Sequence, residues 1–266
     1  MRAVPLTLDP TVVAEIDVRL AGAGVAIPWA IESGSRAWGF PSPDSDYDCR
    51  FIFVRPATDY LSPWPKRDVI ETPLDAVFDV NGWDLIKAVR LLLKGNAVVV
   101  EWLRSPIVYS GDVEFRSELL ALAAEVSNRA LIGRHYLHVG RQKWTPGEAD
   151  MSIKKIFYSL RPAAVLRWMR TNGDSLVPPM NLAELLEQCA PPADVLAETQ
   201  DLLAKKAVTR ELGRGAIPPG IAHFVEEEFA LAYHEYEHAD GSVSEASRDL
   251  ASSYFRGAVA KYGREN

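Results

Sequence analysis

Apolar residues recur along this chain with two periods, and the change from one to the other divides it. Val12, Val13, Ile16 and Leu20 fall at helical spacing behind Asp9 or Thr11 as a cap, so residues 9–21 read as a helix packed behind the first strand. Val25 to Ile31 is a short, mostly apolar run closed by Gly34-Ser35, which predicts a buried strand ending in a tight turn. A short helical turn comes next, until Pro41 and Pro43 break it and force a loop. Asp46 to Val54, rich in aromatic and β-branched residues, re-enters as a strand. Alternate strand residues share a face, so Asp46, Asp48 and Arg50 point one way while Tyr47, Cys49, Phe51 and Phe53 point toward a core.

A polar, Pro-rich loop from Arg55 to Lys66 leads to a second strand-like run, Ala76 to Val80, with Glu71 and Asp75 read as loop residues before it. Asn81-Gly82 reads as the approach to a helix from Trp83 to Lys94, with Leu85, Ile86, Val89, Leu92 and Leu93 inward and Gly95 at its C-terminus. Val98 to Leu103 fits a buried strand or a short helix, which pattern alone does not separate. Beyond Ser110-Gly111-Asp112 the period is helical, and Pro178-Pro179, Pro191-Pro192 and Pro218-Pro219 cut the remainder into helix-sized pieces. The chain therefore reads as α+β, with a strand-containing half over residues 1–112 and an all-helical half over 113–266. A cleft between two such halves is where ligands often sit.

Composition narrows the class. With 48% hydrophobic and 24% charged residues in 266, the chain has the makeup of a soluble globular protein, and no apolar run approaches a membrane span. Asp9, Glu15 and Asp17 stand where a signal peptide needs apolar residues, and two cysteines, Cys49 and Cys189, are too few for a disulfide framework; both point to a reduced, cytoplasmic setting. The net charge of −7 argues against a protein whose main task is to hold a long nucleic acid, and suits a small or locally gripped substrate. Local grip is available between Arg134 and Arg170, where eight Lys/Arg face two acidic residues.

The candidate chemistry lies between Ile31 and Val54. Glycine at Gly34 lets the backbone approach a ligand, and the N–H groups that open the next helical turn suit anionic oxygens, with Ser35 and Arg36 beside them. Asp46 and Asp48, about 6.6 Å apart along one strand face, can reach two hard cations roughly 3.5–4 Å apart. Taken separately, each part has a plainer reading: a solvated turn with Asx hydrogen bonds. Two metals want a third carboxylate, and Asp79, embedded between apolar neighbours, is the choice; Asp84 is the alternative, although it suits the first turn of a helix. From the helical half, Lys154, Tyr158 and Arg161 lie at i, i+4 and i+7, able to grip a triphosphate or a nucleic-acid backbone, or else forming a solvated basic face. Tyr60, Trp64 and Tyr158 are candidates for stacking on a base.

Glu32 to Phe40 reads E-S-G-S-R-A-W-G-F and Ser45 to Val54 reads S-D-Y-D-C-R-F-I-F-V, with ten residues between Gly34-Ser35 and Asp46. This resembles the nucleotidyltransferase superfamily of DNA polymerase β, and more narrowly a bacterial branch of predicted nucleotidyltransferases associated with RNA repair. The likeness continues through G-W-D-L-I-K-A-V-R-L-L-L-K-G-N, E-W-L-R-S-P-I-V-Y and K-K-I-F-Y-S-L-R-P, covering roughly residues 25 to 170. It implies a mixed-sheet catalytic domain, two Mg²⁺ (or Mn²⁺) on Asp46, Asp48 and Asp79, and an NTP whose phosphates meet Gly34, Ser35 and Arg36. It further implies that Lys154, Lys155 and Arg161 neutralise the triphosphate or the acceptor, and that the acceptor is an RNA 3′ end. A small molecule or a partner protein is the alternative acceptor, and a catalytically silent nucleotide-binding scaffold the alternative from another class.

One motif reads against this. His234-Glu235-Tyr236-Glu237-His238 is a literal H-E-x-x-H, the zinc-protease pattern. The stripe Ile221, Val225, Phe229, Ala232 and Tyr236 puts both histidines on the polar side of the helix, and Ala239-Asp240-Gly241 ends it at once. Ser242 with Glu245 fits a capping box for the last helix, so no zinc is expected.

Overall fold

A computed structural model describes residues 1–5, 8–73, 76–173, 177–208 and 213–263. Asp9 caps α1 (Pro10–Gly22), accepting from Thr11 N at 2.8 Å, with Pro10 at the first turn where its missing N–H costs nothing. The chain continues through β1 (Ala26–Glu32), α2 (Gly34–Trp38), β2 (Tyr47–Val54), α3 (Ala57–Tyr60), β3 (Val69–Glu71), β4 (Phe78–Asp84), α4 (Leu85–Leu93), α5 (Val98–Arg104) and β5 (Val108–Gly111). Then come α6 (Val113–Val126), α7 (Arg129–Arg141), β6 (Asp150–Ser152), α8 (Ile153–Thr171), α9 (Leu182–Cys189), α10 (Ala193–Val208), β7 (Arg214–Ala216), α11 (Pro219–Tyr236) and α12 (Glu245–Tyr262). No helix among the described residues is long and apolar enough to cross a membrane.

The architecture is α+β. Five strands form a mixed sheet in the order β3-β4-β2-β1-β5, in which β2 and β4 run parallel and the other pairs antiparallel. Alternation along the strands makes two cores. Ala30, Cys49, Phe51 and Phe53 face α1 through Ile16 and Leu20, whereas Trp29, Ile31, Ile52 and Val54 face α4, α5 and α6. Asp48 and Arg50 share the second face with Ile52 and Val54, so one face of β2 is polar at its start and apolar further on.

A third core belongs to the helical region, where α7, α8, α9, α10 and α11 pack together and receive Phe40 from the loop after α2. The proline pairs stand where helices begin. Pro219 opens α11, Pro191-Pro192 precede α10, and Asn181 caps α9 just after Pro178-Pro179. The boundary expected at residue 112 runs through a core: α6 and α12, both beyond it, pack on the sheet face covered by α4. Tyr262 at the end of α12 donates to Asp112 Oδ2 at 3.1 Å. A two-stranded ribbon of β6 and β7 also interrupts the helices.

Three local expectations change, and one open reading is decided. The strand expected to stop at Val80 runs on to Asp84, because Gly82 serves packing and not a helix start: a Cβ there would lie 2.1 Å from the Phe51 ring on the neighbouring strand. Val98 to Leu103 is helical; Asn96 Oδ1 accepts from Val98 N at 2.9 Å, and burial of Val99 through Leu103 removed the apolar stripe that would have announced it. The cap of α12 is Ser244, accepting from Ser247 N at 3.0 Å, while the Ser242 hydroxyl is taken by Asp240 at 2.7 Å. Glu71 ends β3 and pairs with Arg67 at 2.6 Å, and Asp75 lies outside the described residues.

Candidate active site

Parallel pairing of β2 with β4 places Asp48 beside Asp79, and Asp46 stands just before β2. One oxygen from each of Asp46, Asp48 and Asp79 lies within 4.8 Å of the others, the one such grouping of three possible metal ligands among the described residues. Asp84, the alternative third acid, is elsewhere and occupied: it caps α4 through Ile86 N at 3.0 Å and accepts from Tyr60 Oη at 2.8 Å.

The turn before α2 is shaped around Asp48. Gly34 has φ +58°, and a Cβ on it would lie 1.9 Å from Asp48 Oδ2, so the missing side chain is the space that the carboxylate fills. Ser33 N donates to Asp48 O at 2.8 Å, and Asp48 N donates to Glu32 Oε1 at 3.1 Å. Glu32 is fully buried and its second oxygen accepts from Tyr109 Oη at 2.6 Å. Burial pushes the Glu32 carboxyl up to about 8, against the opposing pull of those two hydrogen bonds. Burial likewise raises Asp48 to about 6; the Arg50 charge opposes this, Asp46 and Asp79 reinforce it, and Lys154 opposes it from α8.

Arg50 sits within the acidic group. Its Nη2 donates to Asp48 Oδ1 at 2.9 Å and to Asp79 Oδ2 at 2.6 Å, and its Nη1 donates to the carbonyls of Asp79 and Cys49 at 2.6 and 3.1 Å. Asn81 Nδ2 donates to the other oxygen of Asp79. The donor set, three carboxylates with no thiolate or imidazole, matches the hard-oxygen preference of Mg²⁺ or Mn²⁺, and the cradle that Gly34 leaves for Asp48 keeps one of them in place.

The other expected residues divide. Lys154 is within electrostatic reach of Asp48, its Nζ is 5.9 Å from the Tyr158 ring, and Tyr158 meets Trp38 of α2 edge-on at 5.1 Å. Lys155 is exposed. Ser35 is buried and its hydroxyl bonds to Ser45 Oγ at 3.1 Å, within the loop that returns to β2. Arg36 donates to the carbonyls of Ser45 and Asp46 at 2.6 and 3.2 Å and lies 3.9 Å over the Tyr47 ring, so its guanidinium clasps the chain that carries Asp46.

Arg161 is turned into the protein interior. It is 4% exposed, its Nη2 meets Glu101 Oε1 at 2.8 Å, Tyr136 Oη meets the same oxygen at 2.7 Å, and its guanidinium lies 4.8 Å from the Trp38 ring. Seven residues of helix advance about 10.5 Å, which carries the i+7 position from the neighbourhood of Asp48 into the packed interior. Tyr60 and Trp64 come after the far end of β2: Val54 lies about 20 Å along the strand from Asp48, so neither shares a pocket with the acids. Trp64 is 82% exposed.

Sequence reasoning does not single out Glu32, Tyr109 or Asn81. A lone acid ending an otherwise apolar strand is the signal Glu32 offered, since such a group must find partners. Tyr109 and Asn81 offered none, because their roles depend on strand pairing. Both histidines of the H-E-x-x-H stretch meet the Tyr233 ring edge-on, His234 and His238 each at 6.2 Å, and the side of α11 opposite them is buried through Ile221, Val225, Phe229 and Tyr236.

Residues 10–256 match the sequence pattern of the RNA repair pathway DNA polymerase beta family. Among curated proteins, the uncharacterized protein YcgL of Bacillus subtilis (strain 168) is 39% identical over 208 residues, which span 77% of this chain and 79% of YcgL.

Proposed function

The chain belongs to the RNA repair pathway DNA polymerase beta family, and from that membership we propose that it moves a nucleoside monophosphate from an NTP to the 3′ end of an RNA, with release of pyrophosphate. The observation that carries the reading is the joining of Asp46, Asp48 and Asp79 across two parallel strands, opposite a glycine whose missing side chain accommodates Asp48. Asp46, Asp48 and Asp79 are the residues that would hold Mg²⁺ or Mn²⁺. Divalent cations bound there supply charge stabilisation to the attacking and leaving oxygens.

The chain's own residues supply the rest. Glu32 and Ser33 fix the backbone of Asp48 on both sides, so its carboxylate has one direction to point. The backbone N–H groups of Gly34 and Ser35, which open α2 close to that carboxylate, would meet phosphate oxygens. Arg36 acts indirectly, by holding the backbone of Asp46. Lys154 faces Asp48 from α8 and would meet the triphosphate, with Tyr158 beside it to bound the nucleotide. Lys155, exposed next to them, is suited to an RNA phosphate. Two buried free thiols, Cys49 and Cys189, agree with a cytoplasmic setting.

The test is incubation with each labelled NTP, Mg²⁺ or Mn²⁺, and a mixture of tRNA and short RNA, beside the Asp46→Ala/Asp48→Ala double variant. RNA labelling that vanishes in the variant is the expected result. The net charge of −7 favours a second reading, transfer to a small molecule or a partner protein. That reading takes over if RNA stays unlabelled while pyrophosphate is released once cell lysate is added. Silence in both arms returns the protein to a nucleotide-binding scaffold.

A further inference from the structure

Arg50 lies where a metal ligand set has least use for a cation. Its Nη2 is shared by Asp48 Oδ1 at 2.9 Å and Asp79 Oδ2 at 2.6 Å, so a cation bridging those two oxygens would overlap the guanidinium. The rest of the group is tied down, through Nη1 to the carbonyls of Asp79 and Cys49. Lys154 is the other cation reaching Asp48, but from the opposing helix. Three carboxylates gathered within 4.8 Å repel one another, and Arg50 is what compensates that repulsion from within.

We propose that Arg50 is the resident counter-cation of the triad: it holds Asp48 and Asp79 together in the metal-free protein, and the part of it shared by both withdraws when a divalent cation takes that position. The inference rests on the reading of the triad as metal ligands. Arg50 is thus a positioning residue that also lowers metal affinity in the absence of nucleotide, so that filling the site waits on the charge a triphosphate brings. A brace that merely ties β2 to β4 would leave metal affinity unchanged.

The experiment measures Mn²⁺ binding to the full chain without nucleotide, by electron paramagnetic resonance of free Mn²⁺, for wild type, R50Q, R50K and D48N. Thermal unfolding is monitored in chelator and in saturating Mn²⁺. R50Q is expected to bind Mn²⁺ at least about tenfold more tightly than wild type, with R50K between them, since an ammonium that reaches both carboxylates gives up the carbonyl contacts that anchor Arg50. In chelator R50Q should melt below wild type, and Mn²⁺ should close that gap. R50Q affinity equal to or weaker than wild type overturns the proposal. If R50Q folds only with Mn²⁺ the proposal stands; if it folds in neither condition R50K decides, and R50K indistinguishable from wild type overturns it. Wild-type binding that D48N leaves unchanged overturns the metal-site reading itself, an outcome distinct from the failure of Arg50 alone.

Discussion

Glu32 places a carboxyl with no exposed surface one hydrogen bond from the backbone of Asp48. Its folded-state value of about 8 stands above the ordinary 4.5, so between those values the folded protein keeps a proton that the unfolded chain has released. The associated stability is full below pH 4.5 and is lost as pH rises through 8. Glu32→Gln keeps an acceptor for Asp48 N and has nothing to titrate. The wild type should therefore lose stability relative to Glu32→Gln across that range, by on the order of a few kcal/mol. Urea unfolding of both proteins at a series of pH values checks it, and parallel curves would mean that Glu32 is ionised in the fold. Single residues of this kind are the hardest to read from a sequence. Asp46 and Asp48 are legible because their spacing along one strand is itself the signal. Glu32 and Arg50 are visible as residues, but Tyr109 and Asp79 reach them from other strands and register is not written locally.

At the scale of elements, α8 does two jobs within three turns. Its first turn brings Lys154 toward Asp48, and its middle buries Arg161 against Glu101 of α5 and Trp38 of α2. Removing Arg161 leaves Glu101 buried without its countercharge, so Arg161→Ala should cost about 3–5 kcal/mol of stability. Lys154→Ala should change stability by no more than about 0.5 kcal/mol and weaken nucleotide binding instead. Chemical denaturation with nucleotide titration on the two variants separates these roles; equal loss of stability would show that Lys154 is structural too. The sequence pattern places both residues on one helix face, which is correct as periodicity, yet a face changes surroundings as its helix enters a core. Gly82 carries the same lesson in a strand, since a glycine read as helix punctuation proves to be room for Phe51.

At the scale of the molecule, the cores do not keep to the order of the chain. Ala251, Ala258 and Val259 of α12 complete the core under the sheet, with Phe255 against Tyr60 and Tyr262 against Phe115. A fragment ending at residue 244 would uncover that face. It should lose cooperative unfolding and bind a hydrophobic dye, whereas a fragment that melts as sharply as the full chain would show α12 to be dispensable. Helix positions are legible here from the proline pairs, but the destination of α12 is not, because an amphipathic stripe states that a helix is covered and not by what.

That return of α12 sets a schedule for the protein's synthesis. The acidic strands precede in the chain the helix that seals their shared core, so a nascent chain still lacking α12 carries every acid of the triad over an unfinished hydrophobic floor. A chain stopped upstream of α12 would leave that floor open to chaperones and proteases.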